Sequence, residues 1–298
     1  MKILLFGANG QVGHALRGSL APLGEIVATT RGGMLEDGIA CDIADFDRPD
    51  TLPGLIERIA PDVVVNAAAY TAVDRAEDDA DAAFRANAGA PDVIARACAG
   101  RDALLVHYST DYVFDGMATR PYREDDPTAP LGVYGASKLA GEEAIRASGA
   151  RHMIFRTAWV YSSHGKNFLR TMLRLAAERD ELRVVADQIG TPTSAALVAE
   201  TTAAILGRAS ARPSGLWHLT AEGRTSWHGF AEAIVTRAQT RGLLAKRPAV
   251  APIATADYPT RARRPAYSCL DTRRLSRDFS VDLPEWEEDL ERVLGSIG

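Results

Sequence analysis

Tyr134 and Lys138 stand four residues apart in Val133-Tyr134-Gly135-Ala136-Ser137-Lys138, at the start of a run with helical character to about Ala147. Four residues of α-helix turn roughly 400° and rise about 6 Å, so the two side chains share one face. A phenol titrates near 10 in water, and a neighbouring cation favours the phenolate. Lowering that value by about three units takes on the order of 4 kcal/mol. A Tyr and a Lys on one helix face are therefore parts for a proton donor and acceptor. Taken alone the spacing is common on helices and carries no function. The surrounding sequence decides the matter.

Ser109-Thr110-Asp111 follows the apolar run Leu104-Leu105-Val106-His107-Tyr108. A hydroxyl at the carboxyl end of a strand is placed to donate to a carbonyl that Tyr134 also reaches, which makes Thr110, Tyr134 and Lys138 an acid–base set for carbonyl reduction. Capping of the following turn is the other use for Ser109 or Thr110.

Gly7-Ala8-Asn9-Gly10-Gln11-Val12-Gly13 follows the first strand pattern and opens the first helix pattern. In that context Gly7 permits the turn, Gly10 lets backbone approach a pyrophosphate, and Gly13 lets helix pack on strand. The second strand ends Thr29-Thr30-Arg31. An acidic residue there favours NAD, whereas Arg31 suits a 2′-phosphate, so the reading is NADPH with NADH possible. Asp42-Ile43 flanks an adenine or, equally well, Asp42 caps a helix. Ala67, Ala68 and Ala69 follow Val63-Val64-Val65-Asn66, and small residues at a strand end let a ligand lie against backbone. Arg264, in the basic stretch Arg261-Ala262-Arg263-Arg264, is a candidate diphosphate contact because Arg binds phosphate in two-pronged fashion; a solvated surface Arg is the competing reading.

These residues need a scaffold, and the apolar spacing supplies one. Strands are expected at Lys2 to Phe6, Glu25 to Thr30, Asp62 to Val65, Ala103 to Tyr108 and His152 to Thr157. Helices alternate with them at Gln11 to Leu20, Leu52 to Ile59, Asp74 to Ala99 (bent or restarted at Pro91) and Tyr134 to about Ala147. That alternation predicts an α/β, Rossmann-like doubly wound parallel sheet. After about Val160 the pattern loosens into a smaller C-terminal substrate-binding lobe. Residues 1–160 are thus expected to be mainly an NAD(P)-binding domain, and 161–298 mainly the substrate lobe, with some segments returning to the sheet. Residues 247–266, rich in Pro and Arg, read as an ordered loop or clamp.

Composition narrows the class. The 298 residues are 46% hydrophobic with a net charge of −5, so nucleic acid has no electrostatic call on the chain. Cys41, Cys98 and Cys269 show neither metal-ligand spacing nor a disulfide framework, which fits a cytoplasmic protein. No signal peptide and no membrane-length apolar run are evident.

Together these segments resemble the extended short-chain dehydrogenase/reductase superfamily, and within it the dTDP-4-dehydrorhamnose reductases. The resemblance also rests on Ser109-Thr110-Asp111-Tyr112-Val113-Phe114-Asp115-Gly116, Phe155-Arg156-Thr157-Ala158-Trp159-Val160-Tyr161 and Asp187-Gln188-Ile189-Gly190-Thr191-Pro192-Thr193. It implies NAD(P)H-dependent reduction of the C4 ketone of dTDP-4-dehydro-L-rhamnose (dTDP-4-dehydro-6-deoxy-L-mannose) to dTDP-L-rhamnose. By the same resemblance Tyr134 gives the proton, and Lys138 lowers its pKa and holds the nicotinamide ribose. Thr110 holds the carbonyl oxygen. Thr110, Asp111 and Trp159 contact substrate, and a rigid indole beside a deoxysugar also makes physical sense. Gly10, Gln11, Val12, Thr30, Asp42, Ile43, Ala67, Ala68, Ala69 and Tyr108 line the cofactor site.

One departure from the family stands out. Some members bind Mg²⁺ at a dimer contact through acidic residues whose places here are taken by Ala15 and Ala196. Neither ligates a metal, so no Mg²⁺ is expected there and the chain is read as monomer or homodimer. The alternatives are a related nucleotide-sugar reductase or epimerase, or a non-catalytic regulatory subunit of the methionine adenosyltransferase type.

Overall fold

The computed structural model describes residues 1–208 and 214–297. Its centre is a parallel sheet of β1 (Lys2–Phe6), β2 (Glu25–Thr30), β3 (Asp42–Ile43), β4 (Val63–Asn66), β5 (Leu104–Thr110), β6 (His152–Thr157) and β7 (Gly215–His218). Their order is β7-β6-β5-β4-β1-β2-β3. The order reverses between β1 and β4, and such a switch point opens a crevice at the carboxyl ends of the strands. Apolar residues lie on both faces because helices cover both. Ile3 and Leu5 pack with Leu16, Leu20, Val198 and Trp217, while Leu4 and Phe6 pack with Leu52, Ile56 and Ile94. The β3 edge strand escaped the sequence reading because two residues have no legible period. The β5 strand runs on through Ser109 and Thr110, which puts Thr110 at the strand's last position.

A second core lies beyond residue 160. Tyr161, Leu169, Met172, Leu182, Phe230, Ile234, Trp286 and Leu290 are its centre. Helices Phe168–Glu178 and Trp227–Thr240 pack on the ribbon of Glu181–Val185 and Ala249–Ile253, and Trp286–Gly295 packs on Trp227–Thr240. That ribbon lies partly within the stretch read as a loop; Pro252 is accommodated because its strand has one neighbour only. Asp289 fixes this lobe to the helix Ala195–Arg208. Its carboxylate accepts from Ser194 N and Ser194 Oγ, both at 2.7 Å. The chain crosses back to the main sheet at β7, and helix Ala195–Arg208 packs on Gln11–Leu20. No helix among the described residues is long and apolar enough to cross a membrane.

Candidate active site

A cavity of about 990 Å³ opens at the carboxyl ends of β1, β4 and β5. The glycine turn forms one wall. Gly7 has φ +78°, which favours glycine, and a Cβ there would come within 2.7 Å of Ala68 N. A Cβ on Gly13 would fall 2.0 Å from Gly7 O, so helix Gln11–Leu20 lies this close to its strand only because Gly13 is bare. No side chain caps this helix at Gly10, which leaves its first-turn N–H groups for an anion. The cradle therefore fits a dinucleotide pyrophosphate. Gly7, Gly10, Gln11, Val12, Ala67, Ala68 and Ala69 all line the cavity.

Some expected residues lie off that lining. Gly13 packs beneath the turn. Thr30 is buried, and its hydroxyl is spent on the Met34 backbone, accepting from Met34 N at 3.1 Å. Asp42 pairs with Arg58 at 2.6 Å inside the edge strand, so it caps no helix, and Ile43 points largely to solvent. Arg31 does line the cavity, 73% exposed, and is offset by Asp45 and Asp47 at 3.9 and 3.8 Å. Glu36 and His164 line it too; neither drew notice in the sequence, where nothing marks them.

Thr110, Asp111, Tyr134 and Lys138 meet at the cavity floor. The helix Val133–Ala147 brings Tyr134 and Lys138, and three local features seat it. Glu77 Oε1 accepts from Val133 N at 2.9 Å at the helix start. Asn87 Nδ2 donates to Ser137 Oγ at 3.0 Å and to Tyr70 O at 3.1 Å, tying the helix to the Ala67–Tyr70 loop. Asn87 sits in a π-helical turn, Arg85–Gly89, and Gly141 lets its backbone approach, since a Cβ there would be 2.1 Å from Asn87 O. Asn87 was missed in the sequence; no period signals a π turn.

The electrostatics are those of a buried site. Burial pushes the Tyr134 phenol up to about 12; the Thr110 hydroxyl pulls against this and Asp111 adds to it. Lys138 is pulled down to about 8 by burial, opposed by Glu142. Lys138 Nζ donates to Tyr108 O at 2.6 Å and lies 3.2 Å from His107 Nε2. Thr110 Oγ1 donates to Asp111 Oδ1 at 3.0 Å, and burial raises the Asp111 carboxyl to about 6. Thr110 Oγ1 also accepts from Tyr112 N at 3.2 Å, which is the turn-capping use of this hydroxyl.

The other lobe closes the opposite side. Trp159 has φ +46°, a strained conformation for a bulky residue, and its indole stacks on Trp227 with centroids 3.6 Å apart and planes within 5°. Gly190 makes room, since a Cβ there would stand 2.4 Å from the Trp159 ring. Ser162 Oγ donates to Gln11 Oε1 at 3.1 Å and links the lobe to the glycine turn. Arg264 lines the cavity and donates to Asp74 Oδ2 at 2.9 Å, while its buried Nε has no partner. Such a geometry can present hydroxyl and phenol donors to a ketone oxygen while an extended nucleotide lies along the glycine turn.

The sequence and structure both have close counterparts. The family described as RmlD substrate binding domain matches residues 1–297. A dTDP-4-dehydrorhamnose reductase of Burkholderia thailandensis is 50% identical over 96% of this chain and 95% of its own length. One from Escherichia coli K12 is 44% identical over 100% and 98%. The solved dTDP-4-dehydrorhamnose reductase of Bacillus anthracis, in complex with NADP, superposes with a TM-score of 0.89 at 33% identity, covering 99% of each chain.

Proposed function

The chain belongs to the RmlD substrate binding domain family, and from that membership we infer that it is an NAD(P)H-dependent oxidoreductase that reduces dTDP-4-dehydro-L-rhamnose at C4 to dTDP-L-rhamnose. The observation that carries the reading is the meeting of Thr110, Tyr134 and Lys138 with the glycine turn in one cavity. A bound NADPH supplies hydride to the ketone carbon; NADH is the second choice, and Arg31 beside the cavity supports the phosphorylated form.

Tyr134, held as a neutral phenol by its buried surroundings, gives its proton to the C4 oxygen. Thr110 holds that oxygen with its hydroxyl. Lys138 holds the nicotinamide ribose and, as an ammonium, lowers the Tyr134 pKa. Asp111 contacts the sugar hydroxyls, the Trp159 indole covers the deoxysugar face, and Arg264 meets the diphosphate with its free Nε. Residues 1–160 mainly carry the cofactor and 161–298 mainly the substrate. The protein works as a monomer or homodimer in the cytoplasm; its three unpaired cysteines suit a reducing compartment.

The test is a coupled assay. dTDP-4-dehydro-6-deoxy-D-glucose and a 3,5-epimerase generate the substrate, with NADPH and NADH in separate reactions. Substrate-dependent loss of NADPH absorbance with formation of dTDP-L-rhamnose is the expected result. Turnover only of GDP- or UDP-linked keto sugars would assign the chain to another nucleotide sugar.

A further inference from the structure

Tyr112 lines the cavity, and no step above uses its hydroxyl. It lies in the tight turn Asp111–Val113, two residues after Thr110. Its backbone is pinned. Tyr112 N donates to Thr110 Oγ1 at 3.2 Å. Gly135 lets the helix that carries Tyr134 sit on the Tyr112 carbonyl, since a Cβ there would be 2.2 Å from Tyr112 O. The Tyr112 ring meets the Tyr134 ring edge-on, with centres 5.6 Å apart and planes at 76°. Among the described residues nothing hydrogen-bonds the Tyr112 hydroxyl. Burial holds this phenol well above its usual value, and the Asp111 carboxylate adds to that. Arg264 opposes them, while Tyr134 and Asp74 push further up. The group is therefore a neutral O–H donor, with Arg264 near enough to act on it.

Arg264 is only half used. Its Nη2 donates to Asp74 Oδ2 at 2.9 Å, and its buried Nε has no partner. Two unpaired donors, one of them cationic, thus belong to one cavity wall. The ketone oxygen is already served by Tyr134 and Thr110. A diphosphate carries several charged acceptor oxygens, and hydrogen bonds to charged oxygens are the strong ones. We propose that the Tyr112 hydroxyl is a second diphosphate contact, donating to a phosphate oxygen of the nucleotide sugar beside Arg264. Because the Tyr112 and Tyr134 rings touch, a diphosphate held there keeps the attached sugar within reach of the Tyr134 hydroxyl. This rests on the nucleotide-sugar reading of the cavity.

Titration calorimetry on the full chain, with the cofactor site filled by NADPH, tests the contact. The probes are dTDP, UDP and dTDP-L-rhamnose. Tyr112→Phe keeps the ring and its contact with Tyr134 and removes only the hydroxyl. It should weaken dTDP on the order of tenfold, the worth of a hydrogen bond to a charged group, and leave NADPH affinity unchanged. Unchanged dTDP affinity would overturn the proposal. A loss seen with dTDP-L-rhamnose but not with dTDP would overturn it too, since the hydroxyl would then serve the sugar. If Tyr112→Phe does not fold, wild type labelled with ¹³Cζ-tyrosine decides, with eight tyrosines to resolve. There dTDP should shift the Tyr112 signal, and an unmoved signal would overturn the proposal. A wild type that binds UDP in place of dTDP, with the same tenfold loss in Tyr112→Phe, would refute the dTDP-sugar reading and uphold the diphosphate contact.

Discussion

Arg156 on β6 and Glu142 on the helix that carries Tyr134 and Lys138 form a two-pronged ion pair, 2.8 and 2.7 Å, with almost no exposure of either side chain. The Arg156 guanidinium also lies 5.0 Å from the centre of the Phe114 ring. The pair ties that helix to β6, one turn beyond Lys138.

Removing one partner strands a buried charge. Arg156→Met should cost about 3–5 kcal/mol of folding stability. The double variant Glu142→Leu/Arg156→Met should recover part of that loss. Urea unfolding of the three proteins measures both; equal losses in the single and double variants would show that the charges do not act as a pair.

Tyr134→Phe removes the proton but keeps the ring and its edge contact with Tyr112, 5.6 Å between centres. Losing a positioned acid should lower kcat on the order of 10²–10⁴-fold with little change in NADPH affinity. Wild-type turnover in the variant would remove Tyr134 from its role.

Asp111 has a raised carboxyl, about 6 against an ordinary value of 3.8, because burial penalises its charge. The folded state therefore binds the extra proton between those values, and the stability linked to it is present at low pH and lost as pH rises through about 6. At pH 7 the charged form costs on the order of 3 kcal/mol. Asp111→Asn should then be more stable than wild type at pH 7, with the gap closing towards pH 4, while turnover falls. Thermal melts across that range give the answer; a variant less stable at pH 7 than at pH 4, relative to wild type, would contradict the sign.

Trp159 and Trp227 stack face to face and both line the cavity. Trp227→Ala should loosen Trp159, whose strained backbone is worth about 1–3 kcal/mol and persists only under support from its surroundings. The expected signature is a raised KM for the nucleotide sugar with the KM for NADPH nearly unchanged. A rise in the NADPH KM alone would place the indole pair on the cofactor side.

Ala15 and Ala196 offer no oxygen ligand from their side chains. Chelation with EDTA should leave both activity and oligomeric state unchanged, as read by the coupled assay and by light scattering. Dissociation of an oligomer on chelation would show a metal at that contact.

The candidate residues for the chemistry stood out in the sequence because each depends on local spacing. A glycine turn after an apolar strand, a hydroxyl at a strand end and a Tyr and Lys one turn apart need no distant partner to be noticed. The same holds for the α/β order, since a strand covered on both faces, such as Leu4 between Ile3 and Leu5, reads as a continuous apolar run. What the tertiary structure alone decided depends on residues far apart in the chain. Asn87 fastens Ser137 fifty positions away, Trp227 stacks on Trp159 across the lobe, and Arg156 answers Glu142 inside the core. Lys138 belongs here as well. Spacing places it one turn from Tyr134, but burial and its donation to Tyr108 O on another strand decide what that nitrogen meets, because those partners come from elsewhere in the chain.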